Sequence, residues 1–163
     1  MRTQHAEAAE AGGVSANPHW AARIRHELAV QGVTPAYEIA IDECAPGRLT
    51  LSMPLKAAAL QQYKVVHGGI VAMLADSASG LAVISLLPAE DGVLSIEFKI
   101  NLLAPSRGER MIARAKVIKV GRTVAVSEAD IFCIEGGVET HTARLVNTLI
   151  VARGLAARVD PKE

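Results

Sequence analysis

Aromatic residues make up only 3% of this sequence, and cysteine occurs just twice. So few rings leave no evident stacked cage for a ligand. Cys44 and Cys133 both lie in alternating apolar segments, without the spacing of a metal or redox motif, which reads as free buried thiols in a reducing compartment. An excess of either charge is also missing, because 17 basic side chains balance 17 acidic ones. That balance argues against a nucleic-acid partner. The longest apolar run, residues 70–87, is interrupted by Asp76, Ser77, Ser79, Gly80 and Ser85, so it reads as a helix buried in protein and not as a membrane span. Residues 1–16 hold acidic side chains and no apolar stretch of the secretory kind. The expectation is a cytoplasmic protein with a disordered start over 1–16, one domain over 17–155 and a tail over 156–163.

Half of the residues are hydrophobic, enough for a single sizeable core in 163 residues. Asn17 and Pro18 form an N-cap and first-turn pair, and Trp20, Ile24 and Leu28 recur at helical spacing until Gly32. A hairpin is expected from alternation over residues 36–45, a Pro46-Gly47 turn, and Leu49, Leu51 and Met53. Residues 56–66 look irregular. Beyond the apolar helix, which Pro88 closes, four alternating segments span 93–103, 111–120, 123–134 and 138–151, read as strands in meander order. The fold class is therefore α+β, with about six antiparallel strands around one buried helix.

Asp76 lies in the middle of that helix, and a desolvated carboxylate costs several kcal/mol unless it is paired, protonated or put to use. It either bonds a neighbouring element, faces a hydrated subunit interface, or does chemistry. The helix begins at Gly68-Gly69, where unpaired N–H groups at a positively polarised end can be approached by a ligand. Gly68 and Asp76 are separated by ~12 Å along the axis. One carbonyl cannot reach both groups of one chain, so if the two ends serve one site, that site is shared across a twofold axis. No histidine and carboxylate set has metal-ligand spacing, and neither a metal nor another cofactor is required. His5, His19, His26 and His141 have no partner pattern and are assigned structural or solvent roles.

The segment Val66-His67-Gly68-Gly69-Ile70 with Leu74-Ala75-Asp76 resembles the His-Gly-Gly, Leu-Ala-Asp signature of PaaI-like hotdog thioesterases. The resemblance runs from about residue 37 to 151, with Ser95-Ile96-Glu97-Phe98 opening the third strand, Ala104-Pro105 ending it and Val120-Gly121-Arg122-Thr123 joining the next two. It implies the hotdog fold, hydrolysis of acyl-CoA, dimers with two shared sites, and homotetramers built from them. By position it implies Asp76 as the catalytic carboxylate, the Gly68 N–H as the group polarising the carbonyl, His67 supporting that turn, and Ser95 placing a hydroxyl near the thioester. Gln61 stands where the family often has asparagine, and Lys64 where glycine is common. For coenzyme A it points to Pro105, Ser106 and Arg107, and to Lys119, Gly121 and Arg122, with Gly69 beside Gly68; taken alone, each arginine reads as an ordinary solvated turn residue.

The implied reaction uses Asp76 as general base or as nucleophile, with the oxyanion held by Gly68. Two rivals are a non-catalytic acyl-CoA-binding protein and a hotdog hydratase or dehydratase; the His-Gly-Gly pattern speaks against the latter. Ile70, Met73 and Leu74 are expected to give an aliphatic acyl pocket suited to medium-length aliphatic or small aryl-acyl groups.

Overall fold

The computed structural model describes residues 13–158. A lead-in helix α1 (Trp20–Ala29) and a short α2 (Val33–Tyr37) precede β1 (Ala40–Ala45) and β2 (Arg48–Pro54). The central helix α3 (Gly68–Ile84) follows, then β3 (Gly92–Leu102), β4 (Arg110–Val120), β5 (Val124–Glu135) and β6 (Val138–Ala152). All six strands form one sheet in the order β1-β2-β4-β5-β6-β3, with every pairing antiparallel.

That order corrects the expected meander. Only β4, β5 and β6 follow one another; β3 pairs with β6 and leaves its other side open. The chain reaches β3 after passing through α3, and the C-terminal turns of that helix deliver it to the far edge of the sheet, away from β2. The early hairpin begins at Ala40 and not at 36, because the segment before it closes as α2, ended by Glu38 in the left-handed conformation at φ 52°. Asn17 is not the cap: α1 starts only at Trp20 with His19 in the N-cap position, and Asn17 Oδ1 accepts the His19 N–H at 2.9 Å in the turn just before it. The irregular stretch contains a 3-10 turn at Ala57–Ala59 and a Leu60–Val66 bridge. The expected disordered start lies mostly outside the described residues; of its last part, the Ala16 N–H donates to the Leu86 carbonyl at 3.3 Å. Of the tail, Ala156–Arg158 forms a 3-10 turn and 159–163 lies outside the described residues.

The sheet bends around α3 because both sides of the contact are built from small residues. Ala75, Ala78 and Ala82 of the helix and Ala113, Ala115, Ala129 and Ala143 of the strands are all buried, so backbones approach closely while Leu51, Met53, Leu74, Met111, Ile131 and Leu145 fill the remaining space. Truncating one of these large side chains to alanine costs about 2–5 kcal/mol. Among the described residues no helix is long and apolar enough to cross a membrane.

Candidate active site

The start of α3 is held by its own sequence. The Ile70 and Val71 N–H groups donate to the His67 carbonyl at 2.8 and 3.2 Å, and the Gly69 N–H donates to His67 Nδ1 at 3.0 Å. A Cβ on Gly69 would stand 3.2 Å from that nitrogen, so glycine lets the ring fold back over the turn. With Nδ1 accepting, a neutral His67 carries its proton on Nε2. The Gly68 N–H is left over: among the described residues it has no acceptor, and it opens into a cleft of about 440 Å³. Gln61, Leu102, Leu103, Pro105, Ser106 and Arg107 are among the residues lining that cleft. The Val66 N–H donates to the Ser106 carbonyl at 2.9 Å, tying the Pro105 turn to the His67 loop. Lys64 adopts φ 58°, a left-handed backbone that costs a side-chain-bearing residue about 1–2 kcal/mol and explains the glycine common in the resembling family.

Asp76 stands two turns further along α3, half-buried, and faces a different cleft of about 250 Å³. Its carboxylate is met by two neutral donors on one oxygen: Ser95 Oγ donates to Oδ1 at 2.6 Å and Asn147 Nδ2 donates to the same atom at 2.7 Å. Oδ2 has no partner among the described residues. Ser79 Oγ, one helical turn on, donates to the Asp76 carbonyl at 3.0 Å and accepts from Asn147 Nδ2 at 2.9 Å. The rest of this cleft includes Gln31, Gly80, Leu81, Ile84, Val93, Leu94 and Leu149. Ile70, Met73 and Leu74, expected to line the acyl pocket, instead pack against the core. Helical phase is the reason: Gly80 and Ile84 fall on the Asp76 stripe at four-residue steps, whereas Leu74 is turned inward.

Of the residues singled out in the sequence, the structure therefore gathers Gln61, His67, Gly68, Gly69, Pro105, Ser106 and Arg107 at the N-terminal end of α3, and Asp76 with Ser95 at its midpoint. Lys119, near the end of β4, and Gly121 and Arg122 of the β4–β5 turn lie at the opposite end of the eleven-residue β4 from Arg107. An extended strand of that length spans about 35 Å, so one chain cannot bring the two arginines to one phosphate group. Asn147, Ser79 and Gln31 were missed. Asn147 carried no local signal, being one polar residue in an apolar alternation 71 positions from Asp76. Burial pushes the thiols of Cys44 and Cys133 upward, which makes both poor nucleophiles, and only Cys133 is fully buried. No group of three or more metal-ligating side chains occurs among the described residues.

Residues 63–140 match the thioesterase superfamily, a span that includes the start of α3, Asp76 and Ser95. A thioesterase family protein from Silicibacter pomeroyi is similar in structure, with a TM-score of 0.81 at 40% identity over 83% of this chain and 99% of that one. Human acyl-coenzyme A thioesterase 13 is 28% identical over 95 residues, which is 58% of this chain and 67% of that protein. The Escherichia coli PaaI protein from the phenylacetic acid degradation operon shares the fold at a TM-score of 0.72 and 22% identity, over 83% of this chain and 96% of that one. A sheet wrapped on one helix, a free N–H at the helix start and these relatives agree: the chain belongs to the thioesterase superfamily, with the hotdog fold, and its chemistry is thioester hydrolysis.

Proposed function

We propose that this protein hydrolyses acyl-CoA at two equivalent sites of a homodimer, each built from the Gly68 end of α3 in one subunit and the Asp76 turn of α3 in the other. One observation carries this reading. The Gly68 N–H and Asp76 Oδ2, without partners among the described residues, open into separate clefts, and both clefts border the edge strand β3. Leu102 and Leu103 border the first cleft; Val93, Leu94 and Ser95 border the second. Leu94, Ile96, Phe98, Leu102 and Leu103 are exposed, and an open apolar edge of eleven residues is a template for pairing. Antiparallel pairing of β3 with its twofold mate sets the Leu102 end of one strand beside the Ser95 end of the other. Gly68 then faces the partner subunit's Asp76.

In such a site the Gly68 N–H, at the positive end of α3, binds the thioester oxygen and stabilises the oxyanion that forms as the carbonyl is attacked. Asp76 Oδ2 either takes a proton from the attacking water or attacks the carbonyl itself to give an anhydride that water then opens; both routes end in the free acid and coenzyme A thiol. Arg107 from the Gly68 end and Lys119 or Arg122 from the other chain suit the phosphates of coenzyme A. The acyl group suits the cleft of Gly80, Leu81, Ile84, Val93 and Leu149, whose aliphatic walls favour medium-length or small aryl-acyl groups. Pairs of such dimers would complete a cytoplasmic homotetramer.

Mixing subunits tests the shared site. A Gly68→Val chain and an Asp76→Asn chain, each inactive alone, are expected to regain about half of one dimer's thiol release when they form heterodimers, because one of the two sites is then intact. No recovery from folded heterodimers of verified composition would rule sharing out. Thiol release from acyl-CoAs between acetyl and palmitoyl, with phenylacetyl and benzoyl, reads the acyl preference; a single short polar substrate would refute the aliphatic pocket.

A further inference from the structure

Hydrogen bookkeeping around Asp76 singles out a residue that the thioesterase reading does not use. Ser95 has one hydroxyl hydrogen, and it goes to Asp76 Oδ1; Ser79 has one, and it goes to the Asp76 carbonyl. Toward Asn147 both hydroxyls can therefore only accept. The Asn147 amide nitrogen meets Asp76 Oδ1 at 2.7 Å, Ser79 Oγ at 2.9 Å and Ser95 Oγ at 3.1 Å, three acceptors for two hydrogens. Turning the amide over would set its oxygen against a carboxylate and two lone pairs, so only one orientation is tenable. That orientation has a cost on the other side. Asn147 is fully buried, and among the described residues its Oδ1 has no partner; directly across the β5–β6 ladder the buried Ser127 Oγ has none either. A buried acceptor left unpaired costs about 1–3 kcal/mol. An apolar residue would avoid that penalty on a strand whose inward neighbours are Leu145 and Leu149.

We propose that Asn147 is a positioning residue for catalysis: with Ser95 it fixes Asp76 by Oδ1 and thereby aims Oδ2 into the cleft, where Oδ2 alone acts on water or thioester. Ser79, held to the helix backbone by its own hydrogen, fixes the amide in turn. The idea rests on the assignment of Asp76 as the catalytic carboxylate and adds the atom that does the work and the strand that aims it. Asn147 is fully buried and does not line the cleft, so it acts through the rate of the chemical step and not through binding.

The test uses Asn147→Ala, which leaves a small space, and Asn147→Leu, which fills it. In the oligomer, kcat is expected to fall by ~10–10² while KM stays within about threefold, the loss that a displaced reacting group produces. Placed on Asp76→Asn, the same changes are expected to lower the residual rate no further, since the carboxylate they aim is gone. Ser127→Ala, across the ladder, is expected to leave kcat within about twofold. A folded Asn147 variant with near-parental kcat would overturn the proposal, as would an undiminished loss in the Asp76→Asn background. Failure of both Asn147 variants to fold would overturn it too, because the amide would then serve the fold. If Asp76→Asn itself keeps full activity, the catalytic reading falls first; if it is inactive and the Asn147 variants are not, only the positioning role falls.

Discussion

Asp76 and Asp91 are both aspartates at the margins of the same core, and they are wired in opposite ways. Asp91, buried just before β3, has both oxygens engaged: Oδ1 accepts the Gly154 N–H at 3.0 Å and Oδ2 pairs with the Arg153 guanidinium. Arg23 of α1 binds the carbonyls of Pro88 and Asp91, so one corner joins α1, the start of β3 and the end of β6. The Gly154 N–H and then the Arg153 side chain hold the Asp91 carboxyl below the usual carboxylate range. Among the described residues Asp76 has no salt-bridge partner and only neutral donors, all on one oxygen. A carboxylate whose charge and lone pairs are all matched fixes structure. One left with a free oxygen over a cleft keeps its capacity to take a proton or attack.

Breaking each aspartate separates the two roles, and the largest effect falls on Asp76. Asp76→Asn keeps size and shape but removes the carboxylate proposed to act as base or nucleophile, so thiol release is expected to drop by ~10² or more with thermal stability close to the parent's. Retained turnover would erase the contrast. At Asp91 the order reverses: Asp91→Asn is expected to lower Tm by several degrees, since it removes the buried charge that Arg153 and the Gly154 N–H engage, while kcat at a permissive temperature changes less than about threefold.

Acid sharpens the contrast. The Asp91 and Asp130 carboxyls are both held below the usual carboxylate range in the folded chain, Asp91 chiefly by the Gly154 N–H and Asp130 chiefly by Arg144. Each group thus binds its proton less readily in the folded chain, so its stabilisation is complete above about pH 4 and is lost as pH falls through the lower folded-state value. Denaturant midpoints measured from pH 7 downward should decline in that acidic window, and less steeply for Asp91→Asn.

The smallest effect belongs to the outer face of the sheet. There Arg144 Nε and Nη2 donate to the two Asp130 oxygens at 2.6 Å each, and His141 pairs with Asp130 at 2.9 Å while stacking on Phe132. His141 therefore has partners that its sequence neighbours did not announce. Because Arg144 is half exposed, Arg144→Ala is expected to cost less than about 1 kcal/mol in a denaturant titration.

What the sequence determined by itself was local and periodic. The apolar helix with a glycine pair at its head, the 2-residue alternation of the late strands, and a carboxylate stranded nine positions after His67 are statements about spacing, and spacing is written in the chain. From that came the α+β class and the two ends of the candidate site. Tertiary structure alone decided which strand lies at the edge, because β3 and β4 alternate alike and nothing local tells one to pair with β6 and the other with β2. It also decided which helix residues line the clefts, since a helix apolar on every face does not mark one face for the sheet. Asn147 belongs to this second class. A lone polar residue on a strand acquires its meaning only when sheet register sets it under a helix, with its amide against Asp76, Ser79 and Ser95.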